Sequence, residues 1–260
     1  MTSCNETNTT SAMMLSHYEH ITTSNVLQIT CSDDILRSQM LQRAGDTMQC
    51  VCIPSLFLIG TPTNILTMII FYRQGLGDRM NLCLFCLAFV DLMCVTTLFT
   101  MNSSCIIGLF LPNQKQFWGR VLIKNSLNFV NGFSYSTGCL TMIIAIERCA
   151  CVMFPMHIAT FMKTKTMAVV LATAMMLTQL LCGVYAVKEK VSIVQDVTTG
   201  RYLTLLTVTE LYLSNNIFTF IENIVLPLIS IFTFTVVFLA TGLTVVRLRV
   251  ALNWRKSTAR

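Results

Sequence analysis

Five apolar runs constrain this chain more than any motif in it. They lie at about 50–72, 82–101, 121–153, 167–187 and 216–246, and crossing a bilayer takes about 20 apolar residues as a helix. Each run is continuously apolar, without the alternation that lipid-facing strands need. The reading is therefore helical. Only 12% of residues are charged and 54% are hydrophobic, whereas soluble domains carry about 25% charged residues. Lipid is the solvent this composition suits, and the expected class is an all-α, multi-pass membrane protein.

Residues 1–48 read as a polar tail rich in Ser and Thr, expected to be disordered. It lacks the apolar core of a cleavable signal peptide. Residues 49–250 form the membrane domain, and 251–260 begin a loop. The sequons starting at Asn5, Asn8 and Asn102 share one side if the N-terminus is outside, which suits glycosylation there. On that topology Arg73, Arg79, Lys163, Lys165, Arg247, Arg249, Arg255, Lys256 and Arg260 lie inside, a softened positive-inside bias with a cytoplasmic C-terminus. The net charge of +6 then faces anionic lipid and acidic partners and needs no nucleic acid.

Seven of the twelve cysteines lie in or beside the runs and read as small packing residues; Cys4, Cys31, Cys50, Cys52 and Cys105 can see an oxidising side. Neither Cys83-x-x-Cys86 nor Cys149-x-Cys151 brings the His or carboxylate partners of a zinc site. No phosphate loop, nucleophile–base pair or inverted repeat is visible, so neither enzyme nor transporter is indicated. The outer loop after the fourth run is patterned. Val191–Val197 alternates, Thr198-Thr199-Gly200 turns, and Tyr202–Val208 is rich in β-branched residues. That predicts a β-hairpin across the mouth of the bundle, serving as a lid, as a docking edge for an extended peptide, or simply as loop cover.

Ionisable groups inside membrane runs are costly and usually face the bundle interior. Asp91 reads either as a carboxylate bonded to neighbouring helices or as a cation or proton site with Asn64 and Thr137. In the third run Asn131, Ser134, Thr137, Thr141 and Arg148 recur at helical steps and form a polar stripe. Glu222 either snorkels to the interface or lines a ligand pocket. Glu147-Arg148, taken alone, reads as a surface ion pair worth ~0–1 kcal/mol.

Taken together these residues resemble the rhodopsin-like (class A) G-protein-coupled receptors. The matching features are Gly60-x-x-x-Asn64, Asn81 ahead of Asp91, Glu147-Arg148-Cys149 with Pro155 seven residues after the arginine, Phe117-Trp118-Gly119, and Pro227 in the fifth run. Glu147–Pro155 and Trp254-Arg255 are closer still to molluscan chemosensory receptors and FMRFamide-type neuropeptide receptors. The resemblance covers about residues 49–250. It implies a rhodopsin-like bundle with five of seven spans present and a hairpin in the second extracellular loop. It also implies a plasma-membrane location and coupling to heterotrimeric G proteins. An extracellular ligand, peptide or small chemosensory molecule, would meet Asn131, Ser134, Tyr135 and Glu222. Asn64, Asp91 and Thr137 would hold a sodium ion or water; Glu147, Arg148 and Cys149 would form the G-protein switch, Arg148 being held by Glu147 when inactive. Asn81, Trp118, Pro155 and Pro227 would be structural.

The departures are specific. Ile123 stands where the family has a disulfide cysteine, and the hairpin loop has no cysteine, so either that loop is freer or Cys105 or Cys31 supplies a substitute. Val130 stands where amine receptors carry an Asp, and Thr235 where a Tyr is common. Spans six and seven do not appear, so the expectation is an incomplete receptor, or a non-signalling variant that associates with full-length receptors.

Overall fold

A computed structural model describes residues 39–41, 43–45, 47–154, 163–195 and 202–258. The chain divides into two compact units, Met1–Met48 and Gln49–Arg260. The described residues of the first unit are helical. The second unit holds α1 (Ile53–Gln74), α2 (Arg79–Asn102), α3 (Ser104–Phe110), α4 (Lys115–Met153) and α5 (Thr164–Lys188). Strands β1 (Glu189–Gln195) and β2 (Tyr202–Val208) follow, then the short α6 (Glu210–Ser214) and α7 (Asn216–Phe220), a π-helical turn (Ile221–Val225) and α8 (Leu226–Thr258).

Among the described residues five helices are long and apolar enough to cross a membrane. The architecture is that of an all-α membrane protein with one hairpin. The expected run at 216–246 is exceeded, for helix continues to Thr258 through most of the segment expected as a loop. Between Leu228 and Thr258 the only strong breaker is Gly242, so no local signal ends the helix where the apolar run ends.

Local chemistry sets the turns. Gly75 takes φ +94°, a left-handed value that favours glycine, and ends α1 with its N–H on the Tyr72 carbonyl. Asn81 donates Nδ2–H to the Gly75 carbonyl at 3.1 Å, and Thr164 donates to the Gly77 carbonyl at 2.7 Å. That small loop therefore joins the starts of α2 and α5. At the other end of the bundle the hairpin pairs antiparallel from Glu189↔Val208 to Gln195↔Tyr202. Thr209 closes its neck, donating N–H to the Lys188 carbonyl at 2.9 Å and Oγ1–H to the Val187 carbonyl at 2.6 Å. The expected hairpin is present, beginning two residues earlier than the alternation at Val191; its turn lies outside the described residues.

α4 is the central helix, packed against α2, α5 and α8. One core cluster joins Cys83 and Val90 of α2, Leu140 of α4, and Met167 and Leu171 of α5. A second, nearer the hairpin, gathers Cys182, Val184, Tyr212 and Leu226, with Tyr135, Tyr185 and Phe218 against it. Small residues bring the helices close, as is usual when lipid supplies no hydrophobic drive between them. A Cβ on Gly132 would overlap the Gln179 amide, and Ser136 Oγ lies 2.5 Å from Thr178 Oγ1 across the buried α4–α5 seam. On the other side of α2, Phe57 stacks on Phe99 with ring centroids 4.3 Å apart.

Candidate functional site

The polar groups collect at three levels along α4. At the hairpin end, Glu222 sits in the π-helical turn just before Pro227. Proline has no N–H to donate and disrupts the preceding helical rung, and π-turns recur at such interruptions and at functional sites. Both carboxylate oxygens of Glu222 are engaged. Lys188 Nζ donates to Oε1 at 2.5 Å, and the Tyr212 hydroxyl donates to Oε2 at 2.5 Å. Lys188 Nζ also lies 5.4 Å from the centroid of the Tyr212 ring, which stacks on Phe218. Tyr212 is buried; its phenol is held above its ordinary pKa first by the hydrogen bond to Glu222 and then by burial. Tyr185 lies in the electrostatic field of Tyr135, Glu222 and Tyr212.

Three elements meet at this carboxylate: the end of α5, α6 and the π-helical turn. Glu222 is the acceptor that joins the hairpin's base to the turn that leads into α8. Of the other expected contacts, Tyr135 packs into the same cluster. Asn131 turns its amide onto its own helix, Nδ2 to the Leu127 carbonyl at 2.8 Å. Ser134 faces α2, its Oγ 3.5 Å from Cys94 Sγ. Lys188, Tyr185 and Tyr212 were not among the expected contacts. A signal for the first two exists: Tyr185 and Lys188 are three apart on one helix and share a face.

At mid-depth Thr137 Oγ1 donates to Asp91 Oδ1 at 2.8 Å, joining α4 to α2. Thr141 in turn bonds back to the Thr137 carbonyl. Asn64 is half-buried on α1, and among the described residues no hydrogen bond joins it to Asp91. A carboxylate and a hydroxyl oxygen are donors that suit a hard cation. Among the described residues no group of three or more His, Cys, Asp or Glu side chains could hold a metal ion.

At the far end the expected ion pair is not formed. Glu147 is 1% exposed and Arg148 is exposed, and no salt bridge joins them among the described residues. Consecutive helical residues point about 100° apart, so burying one turns the other out. Glu147 Oε1 lies 3.9 Å from Cys151 Sγ, and Oε2 is buried with no hydrogen-bond partner. Cys83 of α2 lies in the field of Glu147, Arg148 and Arg79. Cys149 is half-buried beside them.

Asn81 ties the first short loop, as above. Trp118 donates Nε1–H to Gln114 Oε1 at 2.9 Å and meets Phe117 edge-on. Pro227 is the second residue of α8. Asn102 ends α2 with its amide on the Leu98 carbonyl at 2.9 Å. Pro155, Asn5 and Asn8 lie outside the described residues. Of the cysteines named for a substitute disulfide, Cys105 bonds Cys50 and so ties the start of the first span to α3 rather than to the hairpin, and Cys31 lies outside the described residues.

No protein-family model matches the chain, and no curated protein matches it.

Proposed function

We propose that the chain is a receptor-type transducer of the rhodopsin-like kind, carrying ligand binding at the hairpin end to a heterotrimeric G protein at the far end. The observation that carries this reading is the single helix α4. It bears Tyr135 beside the Glu222 cluster, Thr137 bonded to Asp91, and Glu147 and Arg148 at its other end. A displacement of α4 at one end thus has rigid helix to travel along.

In this reading a peptide or small chemosensory ligand enters beneath the hairpin and meets Tyr135 and Glu222, with Asn131 and Ser134 higher on the same helix. It acts only by binding one arrangement of the bundle more tightly than the other. Asp91 and Thr137, with Asn64 opposite, would hold a sodium ion or water that favours the resting arrangement. Arg148, exposed where Glu147 is buried, is the residue presented to a partner surface at that end, and with Glu147 and Cys149 it would form the G-protein switch.

The test is nucleotide exchange on a panel of heterotrimeric G proteins, using the full chain reconstituted in bilayers. Arg148→Ala should abolish the exchange that the wild-type chain supports, with the amount of folded chain in the bilayer unchanged. Wild-type exchange from the variant, or no exchange from the wild type on any member of the panel, sinks the reading.

A further inference from the structure

We infer that the segment running from the end of α2 into the first turn of α4, residues 103–118, is an interfacial anchor that seats its apolar side chains among the phospholipid headgroups and upper acyl chains. The segment packs firmly on its inner side. Cys105 is bonded to Cys50, Ser104 lies against Gly119 so closely that a Cβ there would come within 3.1 Å of the Ser104 Cβ, and the Lys115 stem covers Gly108. On its outer side the described residues leave the large apolar groups largely uncovered. Leu109 and Phe110 are each 79% exposed, and Leu111, Phe117 and Trp118 are exposed as well.

Three observations commit this surface to lipid. The first is depth. The 24 residues of α2 rise about 36 Å at ~1.5 Å each, against a hydrocarbon core of about 30 Å. Asn102 and the residues after it therefore lie at the level of the headgroups. The second is continuity: the segment joins two membrane-length helices whose own outer faces expose Phe89 and Phe129. The third is charge. Between Asp91 and Glu147 there is no acidic residue, while Lys115, Arg120 and Lys124 follow the apolar tip. Aromatic side chains at headgroup depth, with long basic ones reaching for phosphate, are the usual interfacial anchors. Trp118 has the required form, an exposed ring whose N–H is already satisfied by Gln114.

The chain has two tryptophans, so Trp254→Phe leaves Trp118 as the reporter. The full chain is reconstituted in phosphatidylcholine bilayers carrying nitroxide either high on the acyl chain or at its end. Trp118 emission should be lost more strongly to the shallow label than to the deep one, and iodide in the water should quench it far less than free tryptophan. Phe110→Trp combined with Trp118→Phe and Trp254→Phe should behave the same way, and reports independently if the first variant folds poorly. Iodide quenching equal to that of free tryptophan would place the segment in water and overturn the inference. So would shielding from iodide without any lipid quenching, which would mean that protein covers it. Stronger quenching by the deep label would make the segment part of a span and overturn it too.

Discussion

Glu222 accepts from an ammonium and a phenol at once, and removing either donor leaves the other contact intact. Glu222→Gln removes the charge that both donors address, and should free the neck of the hairpin at a cost of about 1 kcal/mol, since the pair is partly exposed to solvent. Faster amide hydrogen exchange in β1 and β2 is the measurement, and unchanged protection would show that Thr209 alone holds the neck. Tyr212 adds an alkaline signature. Its folded-state pKa is raised by its hydrogen bond to Glu222, so its contribution is fully present below the ordinary phenol value near ~10. It is lost as the pH rises through the raised value. Tyr212→Phe should remove that dependence from the thermal midpoint while leaving the neutral-pH fold in place. Glu147 and Arg148 are neighbours in sequence, but consecutive helical residues point about 100° apart, and here one is buried while the other is exposed.

Among the elements, the α4–α5 seam depends most on individual side chains. Gly132 lets the two backbones approach, with the Gln179 amide filling the space a Cβ would need, and Ser136 meets Thr178 one turn further on. Gly132→Ala should displace the flexible amide of Gln179 rather than the helix, and Gln179→Ala should restore what is lost. Gly132→Leu has no such escape and should cost ~1–3 kcal/mol as an overpacked core does. Thermal unfolding of the four chains in one membrane mimetic, read as a double-mutant cycle, tests the pairing. A loss in Gly132→Ala that Gln179→Ala leaves unrescued would place the strain elsewhere. The helices and the hairpin could be read from pattern because a run of twenty apolar residues and an alternation of β-branched ones are local signals. The short α3, the π-helical turn and the extension of α8 to Thr258 could not. α3 is fixed by a disulfide partner 55 residues away, and α8 simply meets no breaker.

For the whole molecule, the disulfide matters most to stability. Cys50–Cys105 closes a loop of 55 residues, for which the chain-entropy relation gives at most about 4 kcal/mol. The bilayer already confines the two spans inside that loop, so the observed loss should be smaller. Cys105→Ser should lower the thermal midpoint, and Cys50→Ser should do so equally, with no further loss in the double variant. Additive losses would mean that the two cysteines act separately. The same bond also pins the outer segment that we assign to the lipid surface, so either variant should loosen that segment before it loosens the α2–α4–α5 core.

By itself the sequence determined the apolar class, the number of membrane-length helices, the hairpin and the place of each polar residue along its helix, because length, hydropathy and period are properties of one segment at a time. Only the tertiary structure decided which of those polar residues meet. Asp91 found Thr137, Glu222 found Lys188 and Tyr212, Cys50 found Cys105, and Glu147 turned inward while Arg148 stayed out. The physical reason is that a helix crossing lipid is apolar over most of its surface, and its few polar residues do not say which neighbour they meet. Its pattern does not mark an inward face as it does in water, and that face is chosen by where glycine and serine let two backbones come close.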